Sequence, residues 1–164
     1  EKVFGYTSET TLLELSESSQ PLLKELAIKA PGTFQHSLQV ANLCEKVAGT
    51  IGGNATLLRT AAMYHDVGKM SDPQFFIENQ LPDNNPHDDL EPTESAQIIV
   101  NHVKKGIDLC LNANLPMDII QFIQTHHGTS TVRFFLKKAQ EDGNDIDDEL
   151  LVDIALNFLI AGNV

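Results

Sequence analysis

The chain has 164 residues, 41% of them apolar, and a formal net charge of -12 at pH 7. The length fits one domain with a hydrophobic core, and the acidic balance argues against broad, charge-driven binding to DNA or RNA. No apolar run reaches the roughly 18 residues that a membrane-spanning helix needs, and residues 1–20 lack the pattern of a signal peptide. We therefore expect a soluble fragment, with any membrane attachment outside this sequence.

The apolar periodicity predicts an all-α fold, with no strand and no internal repeat. Helices are predicted, in chain order, over Leu12–Ala30 (one or two short helices), Thr33–Ala48, Ala55–Tyr64, Thr93–Lys105, Pro116–His127, Thr131–Gln140 and Leu150–Ala161. Thr33 is predicted to cap its helix. The four prolines of Asp72–Pro92 predict an ordered loop with at most one short helical stretch.

We interpret residues 1–164 as a single domain with four parts. These are a helical lead-in (1–30), a core that carries the candidate site (31–140), an acidic linker (141–149) and a C-terminal helix (150–164). The linker has six acidic residues in nine, which is typical of a solvated segment. Cys44 and Cys110 lie in apolar helical patterns, which predicts buried, reduced thiols and favours a cytosolic compartment.

Histidines occur on or beside the apolar faces of four predicted helices. Residues three and four apart share a helix face, so each histidine can be assigned to the neighbouring apolar stripe of its helix. The stripes and the histidines that continue them are Val40, Leu43, Cys44 and Val47 with His36; Leu58, Ala61 and Ala62 with His65; Ile98 and Ile99 with His102; and Ile119, Ile120 and Ile123 with His126 and His127. Four such cases in one acidic domain indicate convergence on a common site.

This convergence predicts a metal centre. A single inward histidine is usually a core residue, but several unpaired buried imidazoles are costly and a metal ion would satisfy them together. Imidazole with the carboxylate of Asp66 suits iron, manganese, cobalt, nickel or zinc. Five histidines and one aspartate exceed the needs of one tetrahedral zinc. Two ions bridged by Asp66 would use the whole set.

The order of these residues along the chain resembles the all-helical HD superfamily of metal phosphohydrolases. Longer motifs over about Thr10–Ala139 resemble one subfamily, the cytosolic domain of seven-transmembrane HD receptors of the PgpH type. These motifs are Thr11-Leu12-Leu13-Glu14-Leu15, Pro31-Gly32-Thr33, His36-Ser37-Leu38, Val40-Ala41-Asn42-Leu43, Tyr64-His65-Asp66-Val67-Gly68-Lys69, Phe75-Phe76-Ile77-Glu78-Asn79-Gln80, Asn85-Pro86-His87-Asp88 and His126-His127-Gly128-Thr129-Ser130.

The resemblance implies an HD-domain helical bundle that hydrolyses cyclic di-AMP to linear pApA at a dinuclear iron or manganese centre. It implies that Asp66 bridges the ions, with His36 and His65 on one of them. The ligands of the other ion would be His102, His126 and His127. It also implies a cytosolic domain fused to a membrane domain of an inner-membrane protein; a homo-oligomer is compatible with the sequence.

Three positions are open to two interpretations. The resemblance places Lys69 near the substrate phosphate as a catalytic and substrate-binding residue, and the alternative is a surface residue that closes a helix. His87, in a proline-flanked loop, is interpreted as structural rather than as a ligand. The family's last metal aspartate is either Asp153 or belongs to a segment that is absent from this sequence.

Two rival functions remain open. One is a non-catalytic sensor that binds a cyclic dinucleotide without turnover; the complete set of candidate ligands argues against it. The other is a phosphohydrolase that acts on nucleotide monophosphates or on cyclic di-GMP; the ligand spacing is compatible with this, but the longer motifs favour cyclic di-AMP. No catalytic triad is found, and metal-activated water requires no serine or cysteine nucleophile.

Overall fold

A computed structural model describes residues 7–82 and 84–128, together with Lys137. Within these residues the fold is all-helical, as predicted, and contains no strand. The helices are α1 (Glu9–Leu15), α2 (Pro21–Lys29), α3 (Pro31–Ile51), α4 (Ala55–Tyr64), α5 (Pro92–Asn112) and α6 (Met117–Thr125). No helix among the described residues is long and apolar enough to span a membrane.

The helix ends follow local chemistry in most cases. Ser8 and Asn54 accept hydrogen bonds from backbone N–H groups in the first turns of α1 and α4. Prolines occupy the first helical position of α2, α3 and α5, where their missing N–H costs nothing. Gly52, with a φ of 77°, ends α3 in the left-handed conformation that glycine adopts without steric cost.

The core lies where α1, α2, α4 and α6 meet. Its largest fully buried side chains include Leu23 and Leu26 of α2, Tyr64 of α4 and Ile120 of α6. The Tyr64 hydroxyl donates a 2.8 Å hydrogen bond to the carbonyl of Leu15, so the end of α4 is tied to α1. This contact fixes the point at which the chain leaves α4 and enters the His65-Asp66 pair.

The prediction for α3 was wrong in two respects. Thr33 does not cap the helix: it lies inside α3 and its backbone N–H donates to Asn79 Oδ1 at 3.1 Å, a cap supplied from 46 residues away. Half of the predicted apolar stripe does not face the core either: Leu43 is 61% exposed and Val47 48% exposed, whereas Val40 and Cys44 are partly buried against it. The buried face instead carries small side chains that allow close packing on α2 and α4, namely Thr33, Ser37, Ala41 and Ala48.

The segment between α4 and α5 is more regular than predicted. It forms one 3-10 turn, Val67–Ser71, called the Lys69 turn below, and three more within the predicted loop, Pro73–Phe75, Ile77–Asn79 and Pro86–Asp89. The turn Ile77–Asn79 is called the Glu78 turn. Helix α5 continues seven residues past its predicted end at Lys105, because Gly106 does not stop it: this glycine packs against Gly68 of the Lys69 turn.

The other sequence predictions have mixed outcomes. Neither cysteine forms a disulfide; Cys110 is buried, as predicted, but Cys44 is only half-buried. The helix predicted over Thr131–Gln140 lies, apart from Lys137, outside the described residues, and so do the acidic linker and the C-terminal helix with Asp153. The four-part division of the chain therefore stays a prediction.

Candidate metal centre

Four structural elements bring the candidate ligands together. His36 lies on α3 and His102 on α5, whereas His65 and His126 are the first residues beyond the ends of α4 and α6. Two groups result in which all the candidate ligand atoms lie within 4.8 Å of one another. One group is His36, His65 and Asp66, and the other is Asp66, His102, His126 and His127.

Asp66 is the residue common to both groups, and its two oxygens face different partners. The carboxylate is nearly buried, with 4% of its side chain exposed. Its Oδ2 lies 3.1 Å from His65 Nε2 and 3.9 Å from His36 Nε2. Its Oδ1 lies 3.5 Å from His102 Nε2 and 3.6 Å from His126 Nε2. One carboxylate thus has an oxygen for each histidine group, which is the arrangement a bridging ligand requires.

The backbone orients three of the imidazoles. Nδ1 of His65 lies 2.7 Å from the Ala62 carbonyl, and Nδ1 of His126 lies 2.8 Å from the Ile123 carbonyl. His102 makes the same contact with the carbonyl of Ile99. Because a carbonyl only accepts, Nδ1 must donate in each case, so Nε2, the nitrogen nearer Asp66, is the one that can bind a metal ion. Such a bond on the remote nitrogen is typical of metal-binding histidines.

Burial sets the protonation of the second group. Desolvation lowers the pKa of His102 to about 4 and that of His127 to about 3, so both are neutral near pH 7 and able to donate lone pairs. For His65, burial alone would lower the pKa, but Asp66 outweighs it and raises the value. Burial likewise opposes ionisation of Asp66, yet the neighbouring imidazoles and Lys69 lower its pKa and keep it ionised.

The residues fit a divalent metal. Asp66 Oδ1 and His126 Nε2 are buried without a hydrogen-bond partner, which is costly unless a cation satisfies them. The Nε2 atoms of His102 and His127 are 3.1 Å apart. Two nitrogens bound at right angles to one ion would be separated by about 3.0 Å, given a metal–nitrogen distance of about 2.1 Å. The cluster is therefore suited to bind divalent metal ions, and the assignment of individual ligands stays a prediction.

The side chain of His36 is 48% exposed, more than those of His65, His102 and His126. The reason is that the core face of α3 is the small-residue face that includes Ser37 and Ala41, and His36 lies beside it. His36, Val40 and Cys44 instead line a pocket of about 470 Å³, a size suited to a small-molecule ligand. The pocket also contains Asp66 and Lys69.

Lys69 is not the surface residue of the alternative interpretation. Its side chain is 15% exposed, and its Nζ lies 2.9 Å from Asp66 Oδ2 and 2.9 Å from Glu78 Oε1. Burial alone would lower the pKa of Lys69, but the two carboxylates outweigh it and raise the value, so the side chain remains an ammonium group. It therefore places a positive charge at the pocket beside Asp66.

His87 is not a member of either ligand group, as the sequence interpretation expected. It is buried, and its Nε2 hydrogen-bonds to the Phe75 carbonyl at 2.9 Å. This contact holds two of the 3-10 turns together.

Glu78 has no predicted role from the sequence. It lies in one of the motifs that carry the family resemblance, but that resemblance implies no function for it. The only signal was a carboxylate in a loop of unusual composition, and a loop sequence does not reveal what its side chains contact.

Comparison with known proteins assigns the family. The HD domain family model matches residues 33–155, most of the chain. The chain belongs to the HD domain family.

Within that family, two curated relatives are called cyclic-di-AMP phosphodiesterase PgpH. The protein from Listeria monocytogenes is 43% identical over 148 residues, which cover 90% of this chain and 21% of the relative. The protein from Bacillus subtilis is 43% identical over 146 residues, which cover 89% of this chain and 20% of the relative. The chain therefore spans about a fifth of the length of these relatives, and the resemblance inferred from the sequence motifs is confirmed.

The fold has a counterpart of known structure. The HD domain of L. monocytogenes phosphodiesterase PgpH, crystallised in complex with cyclic di-AMP, matches with a TM-score of 0.76 and 37% identity. The match covers 88% of this chain and 73% of that domain. This match confirms the predicted helical HD-domain fold.

Proposed function

We propose that this domain is a metal-dependent phosphodiesterase that hydrolyses cyclic di-AMP to linear pApA. The observation that carries the proposal is the Asp66 carboxylate, whose two oxygens face two separate groups of histidines beside a small-molecule pocket. The names of the PgpH relatives, and the ligand of the solved PgpH domain, support cyclic di-AMP as the substrate.

We assign two divalent transition-metal ions, iron or manganese, to the two groups. His36, His65 and Asp66 would hold one ion, and Asp66 with His102, His126 and His127 the other. Histidine and carboxylate ligands suit these metals. The first group has fewer histidines than the second.

The chain's own residues have distinct tasks in hydrolysis. Metal ions held by the two histidine groups and Asp66 would supply an activated water for attack on phosphorus and positive charge for the phosphate oxygens. Asp66 fixes both groups of ligands relative to each other, and the bonds from Nδ1 to the backbone hold His65, His102 and His126 in the orientation that presents Nε2. Lys69 donates a hydrogen bond to a phosphate oxygen, where its charge stabilises the transition state. The bond from phosphorus to one ribose 3′-oxygen breaks, which leaves a linear dinucleotide with a terminal 5′-phosphate.

We also propose that the domain is the cytosolic part of a longer membrane protein. The length of its relatives, about five times that of the matched region, supports a longer protein. The resemblance of its motifs to the cytosolic domain of seven-transmembrane HD receptors supports the membrane attachment.

Substrate selection can be tested directly. Cyclic di-AMP, cyclic di-GMP and adenosine monophosphate are incubated with the protein and Mn²⁺, and the products are resolved by chromatography. We expect pApA from cyclic di-AMP, and a kcat/KM for cyclic di-GMP that is lower by about tenfold or more. A chelator should stop the reaction, because the metal ions would supply the activated water and much of the positive charge that offsets the phosphate oxygens. Tight binding of cyclic di-AMP without metal and without product would instead favour a sensor, and equal rates for both dinucleotides would contradict the specificity.

A further inference from the structure

The Glu78 turn connects three elements of the candidate site. Glu78 Oε1 accepts hydrogen bonds from Lys69 Nζ at 2.9 Å and from Thr33 Oγ1 at 3.0 Å, so it joins the Lys69 turn to α3. The Phe76 side chain, just before this turn, is buried against His102, with ring centroids 5.6 Å apart. Its ring also lies 5.1 Å from Lys69 Nζ, within reach of a cation–π interaction.

The Glu78 turn also packs closely against the first turn of α3. Asn79 makes two hydrogen bonds with Thr33. Its Oδ1 accepts from the Thr33 backbone N–H at 3.1 Å, and its Nδ2 donates to the Thr33 hydroxyl at 2.8 Å. A Cβ atom on Gly32 would lie 1.7 Å from the Glu78 carbonyl oxygen, so only glycine allows the turn to sit this close to α3. Glu78 is therefore placed by tertiary contacts that are independent of Lys69.

Lys69 contacts two carboxylates, of which Asp66 belongs to the candidate ligand groups and Glu78 does not. Asp66 Oδ2 also faces His36 and His65, so an ion bound by that group competes with Lys69 for this oxygen. Glu78 is absent from both ligand groups and has no such competitor among the described residues. A lysine ammonium has three N–H donors. With two of them on carboxylates, one remains for a ligand in the pocket that Lys69 lines.

We propose that Glu78 is a positioning residue that holds the Lys69 ammonium at the pocket while Asp66 is engaged with metal. This inference rests on the proposed function, since the ligand that Lys69 contacts is the phosphodiester of a cyclic dinucleotide. Glu78 acts through Lys69 and contacts neither the substrate nor the ions. Removing it should free the lysine side chain but leave both ligand groups in place.

The test compares Glu78→Ala with Asn79→Ala. Both variants remove contacts of the same turn with Thr33, but only the first removes the anchor of Lys69. We expect Glu78→Ala to weaken binding of a non-hydrolysable phosphorothioate analogue of cyclic di-AMP by about tenfold, at unchanged metal content, since bonds to charged groups are the stronger ones. Asn79→Ala should leave the affinity within about twofold while lowering stability through the lost cap. Glu78→Gln, which keeps an acceptor oxygen, should restore part of the affinity.

Two further measurements separate positioning from a structural role. In a Lys69→Ala background, Glu78→Ala should change the affinity by less than about twofold, because residues that act as one unit are not additive. Acetylation of Lys69 by acetic anhydride, followed by mass spectrometry, should be faster in Glu78→Ala and unchanged in Asn79→Ala, whatever the substrate. Wild-type labelling and affinity in Glu78→Ala would overturn the inference. A wild-type protein that binds no cyclic dinucleotide would overturn the proposed function, and the labelling would still decide whether Glu78 anchors Lys69.

Discussion

Replacing Asp66 with alanine is expected to abolish metal binding and turnover together. Each oxygen of this carboxylate faces a different histidine group, so the substitution removes a ligand from both ions at once. The loss of metal affinity should exceed about 100-fold, since removing even an outer-shell partner costs about 10-fold to 100-fold. Metal content by elemental analysis and pApA formation by chromatography check this in the same preparation.

Two variants serve as controls for this prediction. Asp72→Ala removes a nearby carboxylate that pairs with Lys105 and belongs to neither ligand group. His87→Ala removes a buried imidazole that contacts the Phe75 carbonyl. Both should retain metal to within about tenfold of wild-type affinity, because neither side chain belongs to a ligand group. If Asp66→Ala and these controls bind metal equally well, Asp66 is not the bridging ligand.

Gly68→Ala is expected to damage the site without changing any candidate ligand. A Cβ atom at this position would lie 1.8 Å from the His102 carbonyl oxygen and 2.5 Å from the Gly106 nitrogen, both of them backbone atoms of α5. The Lys69 turn would have to separate from α5, which should lower the free energy of unfolding by about 3 kcal/mol or more. Asp66 and His102 would separate as well, so metal affinity should fall. Urea unfolding with chelator, and metal titration, measure the two effects.

Gly49→Ala is the matched control for the same chemical change. Gly49 lies in α3, is exposed, and an added Cβ atom would meet nothing within 4 Å. Alanine at such a position should stabilise the protein by about 0.5–1 kcal/mol, because it favours the helix and restricts the unfolded chain. Equal stability of the two variants would show that the Lys69 turn does not pack closely against the backbone of α5.

The sequence predicted the approximate positions of the helices among the described residues, and it singled out the candidate ligands. Apolar periodicity gives α4 with its exact ends, and it places His65, His102, His126 and His127 beside buried residues. These features depend on local patterns, since neighbours along one helix determine which face is apolar. The pairing of histidines into two groups around Asp66 was implied only by family resemblance, because it depends on how four elements pack.

The failures share a physical cause, which is that tertiary contacts override local signals. Thr33 has the chemistry of a cap, yet the cap of α3 comes from Asn79, 46 residues away. Gly106 follows two lysines, a typical helix end, yet it lies inside α5 because the Lys69 turn packs against it. Leu43 and Val47 were assigned to the core face of α3, yet this helix packs on its neighbours through small residues such as Ser37. Glu78 was missed because its partners, Lys69 and Thr33, are brought to it by folding.

The central claim is that the two histidine groups around Asp66 bind metal ions. Elemental analysis of protein purified without chelator, before and after loading with Mn²⁺ or Fe²⁺, tests this most directly. The account predicts one to two transition-metal ions per chain, rising toward two on loading, as expected for a dinuclear hydrolytic centre. Less than about 0.2 ion per chain, unchanged after loading at concentrations where such sites fill, would contradict it.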